Sequence, residues 1–175
     1  MKLKTRDIVY IGFIAALCAV ATTIRIEIPG GAMVHLGSAA LFTTSILFGG
    51  LYGGLGAAIG SALFDLFGGH TQYIVFSFFI KGIAGLIVGG MTAGYLPPSI
   101  NKPTASFSRI LVALIIGAIW TAFGYFIAWW FVLNSAAVAA SKIQYSLITS
   151  AAGIVVAIVL TPKLQKVVRS LFTKN

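Results

Sequence analysis

Long apolar runs are the feature that most constrains the fold of this chain. The first, at 8–24, contains no charged residue, and it would be about 26 Å long as a helix, since each residue adds roughly 1.5 Å. The hydrocarbon core of a bilayer is roughly 30 Å thick, so this helix can span it with little tilt. Further runs follow at 36–67, 73–91, 109–133 and 142–160. The sequence therefore predicts an all-α membrane protein.

The composition agrees with a chain embedded in lipid. Of the 175 residues, 59% are hydrophobic and only 9% are charged, whereas a soluble domain averages roughly 25% charged residues. The single cysteine, Cys18, lies inside the first apolar run, which excludes a disulfide framework and a cysteine-based metal site. We expect one multi-pass membrane domain over residues 1–175.

The net charge of +9 follows the pattern of a membrane protein rather than that of a nucleic-acid-binding protein. Three basic residues precede the first run, one lies in the loop at 95–108, one directly follows that loop and four follow the last run, which together are nine of the 12. They are Lys2, Lys4, Arg6, Lys102, Arg109, Lys163, Lys166, Arg169 and Lys174. Because cytoplasmic segments carry an excess of Lys and Arg, we predict that both termini and this loop are cytoplasmic, with no nucleic-acid partner.

The run at 36–67 is too long for one membrane helix, since it would extend about 48 Å. The cluster formed by Gly49, Gly50, Gly53 and Gly54 is the natural break, because paired glycines favour turns. Two alternatives stay open, namely two short helices or a re-entrant hairpin shielded by the bundle. Either one returns the chain to the same side, which predicts six helices with both termini on one side.

The polar break at 25–35 interrupts the helical pattern before the second run. It contains Pro29, Gly30 and Gly31, which forbid a helix and indicate a turn, beside the acidic Glu27. With the N-terminus inside, this loop lies outside, where we interpret it as a lid over the mouth of the bundle. An ordinary solvated loop is the alternative.

Two shorter outer turns and a basic tail complete the pattern. The turns are predicted at 68–72 and 134–141. Pro162 is predicted to end the sixth helix, because proline breaks helices. The basic residues after it suggest an amphipathic helix on the inner membrane surface.

Small residues recur at four-residue spacing along the first helix. They form two overlapping pairs, Gly12 with Ala16 and Ala15 with Ala19. Such spacing lets another helix approach closely. The partner is either another helix of the same bundle or a separate subunit.

Two ionisable residues, Asp65 and Lys81, stand in otherwise apolar, glycine-rich helical sequence. A charge inside a membrane helix costs roughly 2.5–3.5 kcal/mol on insertion scales, so it usually faces a cavity or a partner. Lys81 lies about 12 Å down the fourth helix, and a lysine side chain can extend several ångströms outward. Either the two residues form a structural ion pair, or they are the polar floor of a ligand site.

Further polar and aromatic side chains are predicted near the outer half of the bundle. The candidates for ligand binding are His35, Trp120, Trp129, Gln144 and Tyr145. Aromatic walls with a few polar groups suit a small ring-shaped ligand. For Trp129 an aromatic belt at the membrane interface is the alternative.

Reactive side chains are too few to favour an enzyme. The chain has three carboxylates and two histidines, and it contains no G-x-S-x-G, H-E-x-x-H or P-loop pattern. A metal site from Glu27, His35, Asp65 and His70 is a minor alternative, because no two of them have the short spacing of a helical metal site. We expect no enzymatic activity, no ATPase site, no cofactor and no metal.

Several motifs resemble those of the substrate-binding S components of energy-coupling factor (ECF) vitamin transporters. The matching pieces are I-x-I-P (Ile26, Ile28, Pro29), H-L-G (His35, Leu36, Gly37), F-G-x-x-x-G (Phe48, Gly49, Gly53), G-x-x-x-x-D (Gly60, Asp65) and I-K-G-x-x-G (Ile80, Lys81, Gly82, Gly85). The likeness covers residues 5–95 well, and it covers the rest by helix count and by the polar start of the sixth helix. One departure is Ser38, where relatives often carry Asp.

The resemblance implies a compact bundle of six transmembrane helices in a bacterial cell membrane, with a vitamin-sized ligand held in its outer half. It also implies partners, namely a membrane coupling subunit (T component), which would dock on the small residues of helix one, and two cytoplasmic ATPases. The chain is most similar to the type assigned to hydroxymethylpyrimidine or pyridoxine, with riboflavin-type relatives nearby. Hydroxymethylpyrimidine is the first expectation for the ligand. A self-sufficient proton-coupled carrier that uses Asp65 is the alternative.

Overall fold

A computed structural model describes residues 4–28, 32–95 and 105–172 of the chain. The elements in chain order are α1 (Thr5–Thr23), β1 (Arg25–Ile28), β2 (Ala32–His35), α2 (Gly37–Phe48), α3 (Gly50–Phe67), a short 3-10 turn (Thr71–Tyr73), α4 (Ile74–Thr92), α5 (Phe107–Leu133) and α6 (Ala136–Phe172). Five of these helices are long and apolar enough to cross a membrane, judged by length and composition. The predicted bundle of six helices is confirmed.

The long run at 36–67 breaks at Gly49. Its φ of 86° lies in the left-handed region, which a residue without a Cβ adopts at little cost. The run therefore forms two helices, of 12 residues in α2 and 18 residues in α3. Gly53 and Gly54 lie inside α3 and serve packing rather than the turn.

The short helix α2 lies at the centre of the bundle. It contacts α1, α3, α4 and α6, and nine of its 12 residues are buried. Of its hydroxyl residues, Thr44 donates to the Ala40 carbonyl at 2.7 Å, whereas Thr43 Oγ1 and Ser45 Oγ are buried without a hydrogen-bond partner among the described residues. Because the surrounding helices cover it, α2 does not need the length of a spanning helix.

A row of glycines joins the first part of α3 to the second half of α4. We call this row the glycine seam, and its members are Gly50, Gly54, Gly82, Gly85 and Gly89. A Cβ atom added to Gly89 would collide with the backbone of Gly49 and Gly50. The two backbones are thus in direct contact, which is how membrane helices gain close packing without a hydrophobic driving force.

The outward faces of the helices carry large apolar side chains. Phe67, Phe131 and Val75 are 84%, 74% and 65% exposed, respectively. A soluble protein rarely exposes contiguous apolar surface of this kind, and such surface marks contact with lipid or with a partner. The exposed faces therefore agree with a multi-pass membrane protein.

The predicted outer loop at 25–35 contains a β-hairpin. Strands β1 and β2 pair antiparallel, with Arg25 opposite His35. The strand pairing satisfies backbone groups that a bare loop would leave to water. The sequence correctly excluded a helix here but missed the strands. The predicted lid residues Pro29, Gly30 and Gly31 lie outside the described residues.

Both predictions about the ends of the sixth helix are wrong. The expected loop at 134–141 is mostly helical, because α6 begins at Ala136. Asn134, with a φ of 51°, ends α5 abruptly in the left-handed conformation that asparagine tolerates. Nor does Pro162 end α6, which runs through it to Phe172. A proline is tolerated in a membrane helix where neighbouring groups satisfy the freed backbone carbonyl, so the basic residues continue α6.

Candidate binding site

A cavity lies at the end of the bundle where α3 turns into α4 and the β-hairpin follows α1. Its volume is about 90 Å³, and all six helices together with β2 contribute to its wall. The lining residues are Thr22, Met33, His35, Ser38, Ser61, Phe64, Asp65, His70, Tyr73, Ser77, Lys81, Thr121, Tyr125, Trp129, Ser146 and Thr149. Most of them are polar or aromatic, in contrast to the apolar surface of the bundle.

Lys81 brings a buried cation to this cavity. The residue is 3% exposed, and its Nζ donates a hydrogen bond to Ser38 Oγ at 3.1 Å. The same Nζ lies 5.4 Å from the centroid of the Tyr125 ring, a distance at which a ring face attracts a cation. No salt bridge joins Lys81 to Asp65 in the part of the chain that the structure describes. An ammonium group has three donors, and Ser38 accepts from one of them.

Asp65 brings a buried carboxylate with an unmet hydrogen bond. The residue is 7% exposed, and its Oδ2 has no hydrogen-bond partner among the described residues. Its backbone carbonyl accepts from the His70 N–H at 2.8 Å, which holds the two residues together at the end of α3. The Nδ1 atom of His70 is likewise buried without a partner in the described ranges. Such orphaned groups cost roughly 1–3 kcal/mol each, and a polar molecule that bonded them would recover this cost.

Flat aromatic faces complete the wall. The rings of Tyr125 and Trp129 stack with centroids 5.6 Å apart, and the Tyr125 hydroxyl is hydrogen-bonded to Ser77 Oγ at 3.0 Å. On the side of α3, the rings of Phe64 and His70 stack with an interplanar angle of 13°. Aromatic faces beside a few fixed polar groups are typical of sites for planar ligands.

The β-hairpin covers part of the cavity. His35 on β2 accepts a hydrogen bond at Nδ1 from the Gly37 N–H at 3.1 Å. Burial, together with the nearby cations Lys81 and Arg25, lowers the pKa of His35 to about 3, so that the ring is neutral at physiological pH. The Met33 carbonyl accepts from Thr149 Oγ1 at 3.4 Å, which connects the hairpin to α6.

A cation–π contact joins the first strand of the hairpin to α3, and an ion pair lies within that strand. Arg25 forms a salt bridge with the exposed Glu27 at 2.8 Å. The Arg25 guanidinium also lies 5.1 Å from the centroid of the Phe64 ring. Glu27, which the sequence placed in a lid, does not line the cavity and contacts Arg25 instead.

The structure brings together four of the seven residues that the sequence proposed for ligand binding, namely His35, Asp65, Lys81 and Trp129. It places the other three outside the lining. The Trp120 Nε1 donates to the Ile80 carbonyl at 3.0 Å, and the ring packs against the apolar core. Gln144 is exposed and Tyr145 is half-buried on other faces of α6. Within the described ranges no three His, Cys, Asp or Glu side chains form a group that could hold a metal ion.

Sequence reasoning missed most of the small hydroxyl residues of the site and the aromatic Tyr125. A usable signal existed on α5, where Thr121, Tyr125 and Trp129 recur every four residues and so share one helix face. Ser38 could also have been found from the sequence, because it stands where relatives often carry Asp. In the structure it accepts the hydrogen bond from Lys81.

The small residues of α1 divide between the interior and the surface. Ala15 is 3% exposed and packs on α3, where a Cβ atom added to Gly60 would collide with its carbonyl. Gly12 and Ala16 are exposed, and no atom lies within 4 Å of a Cβ atom built on Gly12. Ala19 is half-buried. The pair of Gly12 and Ala16 therefore provides a flat outer strip, whereas Ala15 packs inside the bundle.

Comparison with known proteins identifies similar chains. The family described as ECF-type riboflavin transporter, S component, matches residues 2–166. An uncharacterised protein of Pyrococcus woesei, from the gap 3′ region, is 28% identical over 142 residues, which cover 81% of this chain and 88% of that protein. A solved structure, titled as the structure and mechanism of the S component of a bacterial ECF transporter, aligns with a TM-score of 0.72. It covers 95% of this chain and 99% of that one at 19% identity, and thus shows a shared fold.

Proposed function

The chain belongs to the family of ECF-type riboflavin transporter S components, and we propose that it captures a small vitamin or vitamin precursor in the cavity beneath the β-hairpin. As a family member it is a substrate-binding membrane subunit of an ECF importer and not an enzyme. The observation that carries the ligand proposal is the convergence of all six helices on a cavity that has a buried cation and a carboxylate oxygen without a partner among the described residues.

The size of the cavity supports a single-ring ligand. Its volume of about 90 Å³ is smaller than the roughly 150 Å³ of an engineered cavity that takes up benzene, so any ring-shaped ligand must widen the cavity and the smallest ring widens it least. Hydroxymethylpyrimidine, a single ring with an amino and a hydroxymethyl group, is therefore the first candidate. Pyridoxine is a second single-ring candidate. Riboflavin, with three fused rings, is the third, and its binding would require the hairpin to move.

Binding assays on the purified protein distinguish these three candidates. Isothermal titration in detergent with each compound should give the tightest binding for hydroxymethylpyrimidine, and native mass spectrometry should show the same order of occupancy. Tighter binding of riboflavin than of either single-ring compound would contradict the ligand assignment and leave the S-component function intact.

Energy for transport is proposed to come from partner subunits. The glycine-rich run at 49–60 is followed by Ser-Ala-Leu-Phe-Asp rather than by the Lys-Ser/Thr of a P-loop. In liposomes the lone protein should bind hydroxymethylpyrimidine without accumulating it. Addition of a T component and two ATPases, with ATP on the cytoplasmic side, should produce uptake. Concentrative uptake by the lone protein under a proton gradient would instead identify a carrier in which Asp65 transfers protons.

Docking of the T component is proposed at the outer strip of α1. Gly12 and Ala16 are small and exposed, so another helix can approach there closely. Gly12→Leu combined with Ala16→Leu should abolish co-purification of the T component while ligand affinity is retained. The matched control replaces Ala136 and Ala140, which are exposed and four residues apart on α6. Loss of the complex in both double variants would contradict a specific docking strip.

A further inference from the structure

We propose that the ends of α5 and α6 remote from the cavity form a binding surface for the headgroup of an anionic phospholipid. We call it the α5–α6 basic surface, and its members are Arg109 on α5 with Lys163 and Lys166 on α6. The inference goes beyond the proposed function, because it concerns a lipid partner at the other end of the bundle and not the captured vitamin.

Both helices are longer than the hydrocarbon core of a bilayer. α5 has 27 residues and α6 has 37, which at 1.5 Å per residue correspond to about 40 Å and about 55 Å. The core is roughly 30 Å thick. The turn that joins the two helices lies at the cavity end, since Trp129 and Ser146 on either side of it line the cavity. Their other ends therefore extend into the layer of lipid headgroups.

The two helices bring three cations to nearly the same depth in the membrane. α5 and α6 are consecutive and pack against each other. Counted from the turn between them, Arg109 lies about 36 Å along α5 and Lys163 about 40 Å along α6. Lys166 follows one helical turn later, and residues three apart share a helix face. All three residues are exposed, so an external anion can reach them.

No described carboxylate neutralises this surface. Asp7 lies at the same end of the bundle, but its Oδ1 accepts from the Tyr52 hydroxyl at 2.7 Å and its Oδ2 from the Lys4 backbone N–H at 2.9 Å. Glu27 and Asp65 lie at the cavity end. Among the described residues, no salt bridge includes a member of the α5–α6 basic surface. Its charge is therefore available to an anionic partner.

The apolar surface beside the cations favours a lipid over an acidic protein. Towards the membrane centre, large apolar side chains are exposed on both helices, Val112 and Ile116 on α5 and Val155 and Val159 on α6. A phospholipid matches both parts, because its headgroup carries the charge and its acyl chains cover the apolar surface. An acidic protein would match the cations alone. Each basic residue near an anionic membrane surface raises affinity about fivefold, so an anionic headgroup should bind more tightly than a zwitterionic one.

Lipid titration of the purified full chain in detergent, followed by native mass spectrometry, tests the inference. The probes are phosphatidylglycerol and phosphatidylcholine with the same acyl chains. The wild type should bind phosphatidylglycerol at least about tenfold more tightly, and this preference should shrink as the salt concentration rises. Glycerol 3-phosphate, which has a similar charge without acyl chains, should not compete at the same concentrations.

Paired variants locate the binding on the α5–α6 basic surface. Arg109→Gln combined with Lys163→Gln should weaken phosphatidylglycerol binding about 25-fold and leave phosphatidylcholine binding unchanged. The matched control is Lys4→Gln combined with Arg6→Gln. It removes the same number of exposed charges from the same end of the bundle, but on α1, which packs on α2 and α3. This control should bind phosphatidylglycerol nearly as the wild type does. Equal Tm values in lipid-free detergent show that the variants fold.

Equal affinity of the wild type for the two lipids would overturn the inference. This comparison needs no variant, so it decides the matter even where a variant fails to fold. Equal losses in the two double variants would also overturn it, since they would indicate diffuse attraction of charge rather than a surface on α5 and α6. Competition by glycerol 3-phosphate would identify a site for soluble phosphates instead. Equal lipid affinities, with retention of the wild type but not of the α5–α6 variant on immobilised polyglutamate, would identify an acidic protein as the partner.

Discussion

The two ends of the α3–α4 pair differ in almost every physical respect. At one end the glycine seam brings the two backbones into contact, with Gly89 against Gly50. At the other end Asp65, His70 and Lys81 surround a cavity, and two of these residues have a buried polar atom without a partner among the described residues. Both ends belong to the same two helices. At one end the backbones pack too closely to admit a Cβ atom, and at the other end the helices enclose a cavity.

This contrast suggests that the two ends of one helix pair have different roles, with the glycine seam stabilising the fold and the cavity serving binding. Lipid is as apolar as leucine, so the helices associate through close backbone packing, which the seam provides. The cavity end lowers the stability of the fold, because buried polar groups without hydrogen-bond partners are destabilising. Natural proteins commonly accept such a cost where function requires it. Substitutions at the seam should therefore reduce stability, and those at the cavity should reduce binding.

The largest effect is expected at the seam from Gly89→Ala. The added Cβ atom would collide with the backbone of Gly49 and Gly50, which cannot move aside as a flexible side chain could. Overpacking typically costs about 1–3 kcal/mol, which corresponds to a fall in Tm of roughly 2–12 °C for a chain of this length. Thermal unfolding in detergent measures this fall in Tm. Gly12→Ala is the control, because nothing lies within 4 Å of its Cβ position and its Tm should hold or rise. Equal Tm changes in both variants would contradict the claim that close packing at the glycine seam stabilises the protein.

A smaller and different effect is expected at the cavity from Lys81→Met. Ligand affinity should fall about tenfold or more, since a charged donor is lost. Tm should change little or rise, because the variant removes a buried cation that forms no salt bridge with Asp65. Titration and thermal unfolding on the same preparation give both values, with the exposed Lys163→Met as control. A large fall in Tm with unchanged affinity would show that Lys81 is structural.

The last prediction concerns the protonation of His35 at low pH. Its pKa is lowered from 6.5 to about 3 in the folded protein, so between these values the unfolded chain binds a proton that the folded chain does not. Stability should therefore fall as the pH drops below about 6.5 and should be independent of His35 above it. Tm from about pH 7.5 to about pH 4.5 should decline more steeply for the wild type than for His35→Gln. Parallel curves would mean that His35 is as exposed to protons in the folded state as in the unfolded one.

The sequence by itself determined the class of the protein and most of its element order. Apolar length, glycine pairs and the distribution of Lys and Arg are local properties, so each can be read from a short window of the chain. The break at the Gly49 cluster followed from such windows. For Asp65 and Lys81 they left a structural ion pair and the floor of a ligand site as alternatives, and the structure places both residues in the wall of the cavity. The motif resemblance correctly indicated the S-component family.

Only the tertiary structure decided which side chains meet. Ser38 and Lys81 lie 43 residues apart, and Met33 and Thr149 lie 116 residues apart, so no local pattern joins them. The rotation of each helix about its axis is also set by packing rather than by sequence. A helix turns about 100° per residue, and a shift of two positions therefore exchanges opposite faces. For this reason Gln144 faces outward while Ser146 lines the cavity.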